Sequence, residues 1–272
     1  MTTLPSGMTQ AQYDNGIAYA RDNFRNEHAP HLHVDKRLIR ERFDLAGKRV
    51  LDFGCGMGGM TLWYATNWPT ATVHGLDIDG YHVAIAQDLQ RQEYVDNVAF
   101  EKRDVLARPL TERYDLVFLN DVAEHIPLPV LGQILKHLAE RLTPGGQIFV
   151  TYPPWRSPYA SHVTHVVGIP WAQFLPQGLL LRMIEKNNLP LVGEEETDLL
   201  ASYQGLNHLT HKKLTRLTEA AGLRPVWRKS HCLLNRLPGL RGVNLRGGPL
   251  DFLITKEFLL LEKVQPHPQP LP

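Results

Sequence analysis

The chain has 272 residues, 43% of them hydrophobic, which is enough to bury one sizeable core plus an added lobe, since single cores stop growing near roughly 250 to 300 residues. A formal net charge of +1 argues against a protein that seeks polyanions over its whole surface, although one basic face remains compatible with it. Two cysteines, Cys55 and Cys232, are too few for a disulfide framework, and no run approaches the roughly 18 apolar residues of a membrane span. The opening MTTLPSGMTQAQYDNG has no basic start followed by an apolar stretch, so a cytoplasmic chain is expected.

In chain order, residues 9–24 and 33–44 read as helices, the second carrying Val34, Leu38, Ile39 and Phe43 at near-helical spacing. Short apolar runs then follow at 49–53, 72–76, 98–101, 115–119 and 147–151, separated by helical stretches near 57–67, 80–93 and 128–142. That alternation predicts βαβ units and a parallel sheet with helices on both faces. Pro144, Gly145 and Gly146 fit the turn from a helix into the last of these strands. A long interval rich in Trp, Pro, His and Leu comes next, to about residue 208, and reads as an insertion that builds a lid or pocket. Residues 209–221 form a further helix, opened by Thr210 and closed by Gly222. Strands are expected at 224–233 and 251–261, as an antiparallel pair at the sheet edge. The tail QPHPQPLP is expected to be disordered.

The strongest motif is VLDFGCGMGG at 50–59, a strand running into a glycine-rich turn and then an apolar helix. Gly54, Gly56 and Gly58 carry no side chain to keep a ligand off the backbone, and the helix start offers free N–H groups. Asp52 ends the strand, where it can hold a charged ammonium group. Asp77 lies 23 residues after Gly54, in VHGLDID, the position from which a carboxylate reaches ribose hydroxyls. A dinucleotide turn would read G-x-G-x-x-G; this one reads Asp-x-Gly-x-Gly-x-Gly instead.

This block, together with FEKRDVL at 100–106, YDLVFLNDVAEHI at 114–126 and LTPGGQIFVT at 142–151, resembles the class I S-adenosylmethionine (SAM)-dependent methyltransferase family over roughly residues 45–155. The resemblance implies an α/β, Rossmann-like seven-stranded sheet with an N-terminal helical cap and a helical insertion after the fifth strand. In that plan 1–44 form the cap, 45–155 the SAM-binding core, 156–208 the substrate-pocket insertion, 209–264 the closing helix and strands, and 265–272 the tail. It also implies that Asp52, Gly54, Gly56 and Gly58 hold the methionine end, Asp77 the ribose and Asp104 with Val105 the adenine, while Asn120 lines the sulfonium side. Cys55 and Ile78, beside them in the two turns, complete the cofactor set. The lesser reading of Asp104 is a turn residue.

Asp121, Glu124 and His125 follow the fourth strand, and His162 and His165 follow the fifth, so a doubly wound sheet brings both groups to its carboxyl edge. The pattern resembles the ubiquinone-type O-methyltransferases and the small-RNA 2′-O-methyltransferases, which implies a divalent metal ion held by Asp121, Glu124, His125 and His165. In the same set His125, Glu124 and His165 act as catalytic groups. A hard cation there would lower the pKa of the acceptor oxygen. Without metal the same residues would shape the pocket or act as a base, and His162 reads as a spectator. YPPW at 152–155 follows the wrong strand for an amino-methylating motif and reads as loop stiffening.

Trp155, Tyr159, Trp171, Phe174, Leu175, Leu179, Leu180, Leu181 and Met183 supply either an apolar acceptor wall or the insertion's own packing. The expected function is methyl transfer from SAM to an oxygen or nitrogen of a small, apolar or aromatic metabolite. One alternative is an RNA methyltransferase of the metal-assisted 2′-O type, favoured by a basic C-terminal third with residues such as Lys212, Arg228, Lys229, Arg246 and Lys256 but opposed by the near-neutral total charge. The other is a SAM-binding protein without turnover.

Overall fold

The computed structural model describes residues 4–194, 197–246 and 248–264; the tail at 265–272 lies outside them. Two helices, α1 (Gln10–Arg25) and α2 (His33–Arg42), precede the sheet. The first starts where Thr9 and Gln12 cap each other's backbone amides reciprocally.

The core then alternates β1 (Arg49–Phe53), α3 (Gly59–Asn67), β2 (Thr72–Asp77), α4 (Gly80–Glu93), β3 (Val98–Lys102), β4 (Tyr114–Asn120), α5 (Leu128–Glu140) and β5 (Leu142–Tyr152). Every residue of β1 after Arg49 is buried, as a strand covered on both faces requires. With β6 (Leu223–Cys232) and β7 (Ile254–Lys263) the sheet has seven strands in the order β3-β2-β1-β4-β5-β7-β6. The first five run parallel, and β7 lies antiparallel between β5 and β6. This is the expected α/β architecture, including the antiparallel closing pair. One apolar cluster packs α1, α3 and α4 on one face and a second packs α5 and α9 (His211–Ala220) on the other.

Two boundaries differ from expectation. Residues 142–146 continue β5 rather than forming a turn, because Leu142 is buried and pairs with Tyr114 across an irregular register. The last strand starts at Ile254, since 251–253 make a single 3₁₀ turn first.

The insertion contains α6 (Thr164–Val167), α7 (Gln177–Lys186) and α8 (Leu199–Gly205), which bury Val163, Val167, Ala172, Leu180, Ile184 and Leu199 against one another in a small core of their own. Leu180 is therefore packing, whereas Phe174 and Leu179 are exposed, and Trp155 stacks on His208 with ring centroids 3.9 Å apart. At α9 the Thr210 hydroxyl accepts from the Lys213 amide, and Gly222 follows with φ +72°.

Candidate active site

The strand order reverses between β1 and β4, so the carboxyl ends of the parallel strands open a crevice there, the place where such sheets bind ligands. Gly54 and Cys55 donate their amides to the Leu76 carbonyl, at 2.8 and 2.9 Å, which folds the turn after β1 over the end of β2. Gly54, Gly56 and Gly58 all have positive φ, near +71°, +52° and +80°, conformations that favour glycine. A Cβ on Gly56 would meet nothing within 4 Å, so its missing side chain keeps open space clear.

Asp52 is buried, with its Oδ2 accepting from the Thr61 hydroxyl at 2.6 Å. Burial, with a smaller push from Asp77, raises its carboxyl to about 7; a cationic group brought beside it would restore its charge. Asp77 accepts from the Gly56 amide at 2.8 Å and the Asp79 amide at 2.9 Å, and faces His82 Nδ1 at 3.7 Å. Burial opposes its charge, but His82 and the two amides outweigh burial and leave the carboxyl below its ordinary range. Ile78, next in the chain, is 67% exposed, an apolar side chain left open beside the Asp77 carboxylate.

Asp104 is exposed and accepts from the Leu106 amide through Oδ1 at 2.9 Å, so the turn role is present alongside any ligand role. The Val105 side chain is buried, which leaves main-chain atoms as what it can present. At the end of β4 the Asn120 amide donates to the Tyr64 hydroxyl at 2.6 Å, while its Oδ1 is buried without a hydrogen-bond partner.

The structure regroups the residues beyond β4. Asp121 lies near enough for its charge to reach Glu124 but outside the close group, its Oδ2 accepting from Lys256 Nζ at 2.6 Å, and the same ammonium lies 2.7 Å from Asp35 Oδ1 on α2. His165 is exposed on α6. The residues brought together are Glu124, His125 and His162, each offering a ligand atom within 4.8 Å of the others. Glu124 is buried, neither carboxylate oxygen has a hydrogen-bond partner among the described residues, and His162 Nε2 lies 3.7 Å from Oε1. Burial, then the Asp121 charge, pushes the Glu124 carboxyl well up. Burial, with His125 alongside, lowers His162 to about 4, so its ring is neutral at ordinary pH. His162 holds φ +56°, and its backbone N–H donates a hydrogen bond to the Tyr159 carbonyl at 3.1 Å. One carboxylate with two imidazoles, with orphaned buried oxygens between them, is a donor set that fits a divalent cation.

Asp35 was not read from the sequence at all, Lys256 only as one of several basic residues, and His162 as a spectator, whereas the structure sets its ring beside Glu124. Lys256 sits in an apolar strand as its one inward cation, a signal that buried lysines need partners. His162 had no comparable signal, because its backbone conformation decides where its ring points.

These features define the class: a Rossmann-like α/β chain whose parallel strands open a crevice at their carboxyl edge. A methyltransferase-domain family model matches residues 26–227, and the chain belongs to that family. It is 34% identical over 143 residues to the ubiquinone biosynthesis O-methyltransferases of Pseudomonas fluorescens and Pseudomonas entomophila, a match covering 52% of this chain and 59% of each relative. The matched segment thus spans little more than half the length of those relatives. Among solved structures, the fold is shared with the CcbJ methyltransferase of Streptomyces caelestis, at TM-score 0.59 and 17% identity over 93% of this chain and 98% of that one. It is also shared with the geranyl diphosphate C-methyltransferase of Streptomyces coelicolor, at TM-score 0.57 and 14% identity over 96% and 86%.

Proposed function

We propose that the chain transfers the methyl group of SAM to an oxygen of a small, apolar or aromatic acceptor. The observation that carries this reading is the edge formed by Asp52, the Gly54–Gly56 turn, Asp77 and exposed Ile78. In it Asp52 and the turn take the methionine end, Asp77 the ribose hydroxyls, and Ile78, Asp104 and Val105 the adenine, with Asn120 beside the sulfonium. The likeness to ubiquinone O-methyltransferases supports oxygen as the acceptor atom. The geranyl diphosphate methyltransferase, solved with S-adenosylhomocysteine bound, supports the cofactor.

Methyl transfer from a sulfonium is an in-line displacement in which positive charge is lost, so alignment supplies much of the acceleration. An acceptor hydroxyl must also lose its proton. Without a cation, neutral His162 can take a hydrogen bond from that hydroxyl. A divalent cation held by Glu124, His125 and His162 would supply Lewis-acid polarisation of the acceptor oxygen. His165, exposed on α6, stays outside that set, and Asp121 is engaged by Lys256.

In this reading 1–44 cap the site and 156–208 form the acceptor wall. Two of the basic residues of the C-terminal third, Lys256 and Arg228, turn inward to Asp35, Asp121 and Glu257 and so take no part in an RNA face. Among the described residues no helix is long and apolar enough to cross a membrane, and Cys55 and Cys232 are free thiols, in keeping with a cytoplasmic setting.

The test is transfer of a radiolabelled methyl group from SAM into a host extract, split into RNA, protein and organic-soluble fractions, with and without EDTA. Label in the organic fraction that disappears with EDTA is expected. Label in RNA would replace the acceptor class, and label indifferent to EDTA would leave Glu124 and the two histidines as pocket and base only.

A further inference from the structure

Within the insertion, Val192, Gly193 and Glu194 fold back onto the turn between β2 and α4, more than a hundred residues earlier in the chain. The Val192 carbonyl accepts from His82 Nε2 at 2.7 Å. The Glu194 amide donates to Asp79 Oδ2 at 2.6 Å, and the Glu194 carboxylate accepts from the Gly80 amide at 3.0 Å and from Lys102 Nζ at 2.6 Å. A Cβ on Gly80 would come within 2.6 Å of Glu194 Oε1, so a glycine at the start of α4 is what admits this carboxylate. Val192 packs on the main core, and Gly193 is buried beneath the turn.

His82 links this contact to the cofactor edge. A carbonyl only accepts, so Nε2 must carry a proton, and the other ring nitrogen faces Asp77 Oδ1 at 3.7 Å. We propose that His82 is a positioning residue for the Asp77 carboxylate and that residues 192–194 latch it in place, so that cofactor binding and seating of the insertion are coupled. The proposal rests on the reading of Asp77 as the ribose acid. The amides of Gly56 and Asp79 and the His82 ring approach Asp77 together, fixing the carboxylate before the ribose arrives and lowering the ordering that binding must impose.

The charged groups acting on His82 are Asp77 and Asp79 from the β2 turn and Glu194 from the insertion, whose carboxylate also pairs with Lys102 from β3. Burial alone would push the ring down, but Asp77, Asp79 and the Val192 carbonyl raise it to about 9. A ring that loses its Nδ1 proton presents a lone pair to the carboxylate, which turns an attraction into a repulsion.

S-adenosylhomocysteine affinity, measured calorimetrically from pH 7 to 9.5 on the full chain, tests this. The wild type is expected to bind on the order of tenfold more weakly as pH rises through about 9. His82→Gln should start at the weakened value and lose the His82-dependent part of the pH change, keeping only the fall that deprotonation of the ligand's own ammonium causes in both proteins. Glu194→Ala, at an exposed position that threatens no core, should weaken binding several-fold at pH 7, and the two changes together should cost less than their product. Wild-type affinity flat to pH 9.5, His82→Gln binding like wild type, or strictly independent effects would each overturn the proposal. A wild type that binds no S-adenosylhomocysteine at any pH would overturn the cofactor reading itself.

Discussion

Gly54, Gly56 and Gly58 look alike in the sequence, yet their surroundings differ. A Cβ on Gly54 would strike Val122 at 2.5 Å, and one on Gly58 would strike Ala86 at 2.7 Å and Phe100 at 2.8 Å, whereas Gly56 faces open space. Only Gly56 is therefore free of protein for an approaching ligand, and Gly58 serves the packing of α3 against α4 and β3. Gly58→Ala combines a left-handed backbone with a clash against a buried helix and should destabilise the fold by about 2 to 4 kcal/mol, read as a lower urea midpoint. A midpoint unchanged from wild type would show that α3 shifts freely. The sequence displayed the glycines because their spacing is local; it did not display which neighbour each one makes room for.

At the scale of elements, Lys256 on β7 ties α2 to the loop after β4 through Asp35 and Asp121. Burial works against its charge, and the two carboxylates more than reverse that and hold the ammonium above its ordinary range. Lys256→Met removes the cation and leaves Asp35, 1% exposed, as an unpaired buried acid, which should cost about 3 to 5 kcal/mol. Chemical denaturation measures it, and adding Asp35→Asn should restore part of the loss; no recovery in the double variant would mean Asp35 is not what the lysine serves. The choice of His162 over His165 belongs to the same scale. Both fall within one turn's length of each other in the chain, and the left-handed backbone of His162, rather than any spacing, aims its ring at Glu124. Periodicity reports the faces of regular elements, so a side-chain group drawn from an irregular loop was not legible.

For the whole molecule, the latch at 192–194 joins the insertion to the parallel sheet, and its pH dependence has a definite sign. His82 titrates at about 9 in the folded chain against an ordinary 6.5. Its ion pair therefore contributes fully below about pH 6.5 and is lost as pH rises through about 9. The urea midpoint of wild type should exceed that of His82→Gln at pH 6, and the two should converge by pH 9.5. A difference constant across that range would mean that His82 stabilises by packing alone.

The sequence by itself determined the architecture and the acid-and-glycine turn at the end of the first strand. Apolar runs alternating with amphipathic helices specify a parallel sheet whatever their partners, and an acid followed by glycines at a strand's end is a local chemical statement. The closing antiparallel pair was equally legible, because period and turn signals are short-range. Tertiary structure alone decided that Lys256 occupies Asp121, that His162 completes the group with Glu124 and His125, and that Glu194 caps a turn 114 residues before it. Those contacts join segments with no shared period, and their geometry follows from how the insertion and the N-terminal helices pack onto the finished sheet. No window along the chain contains that packing.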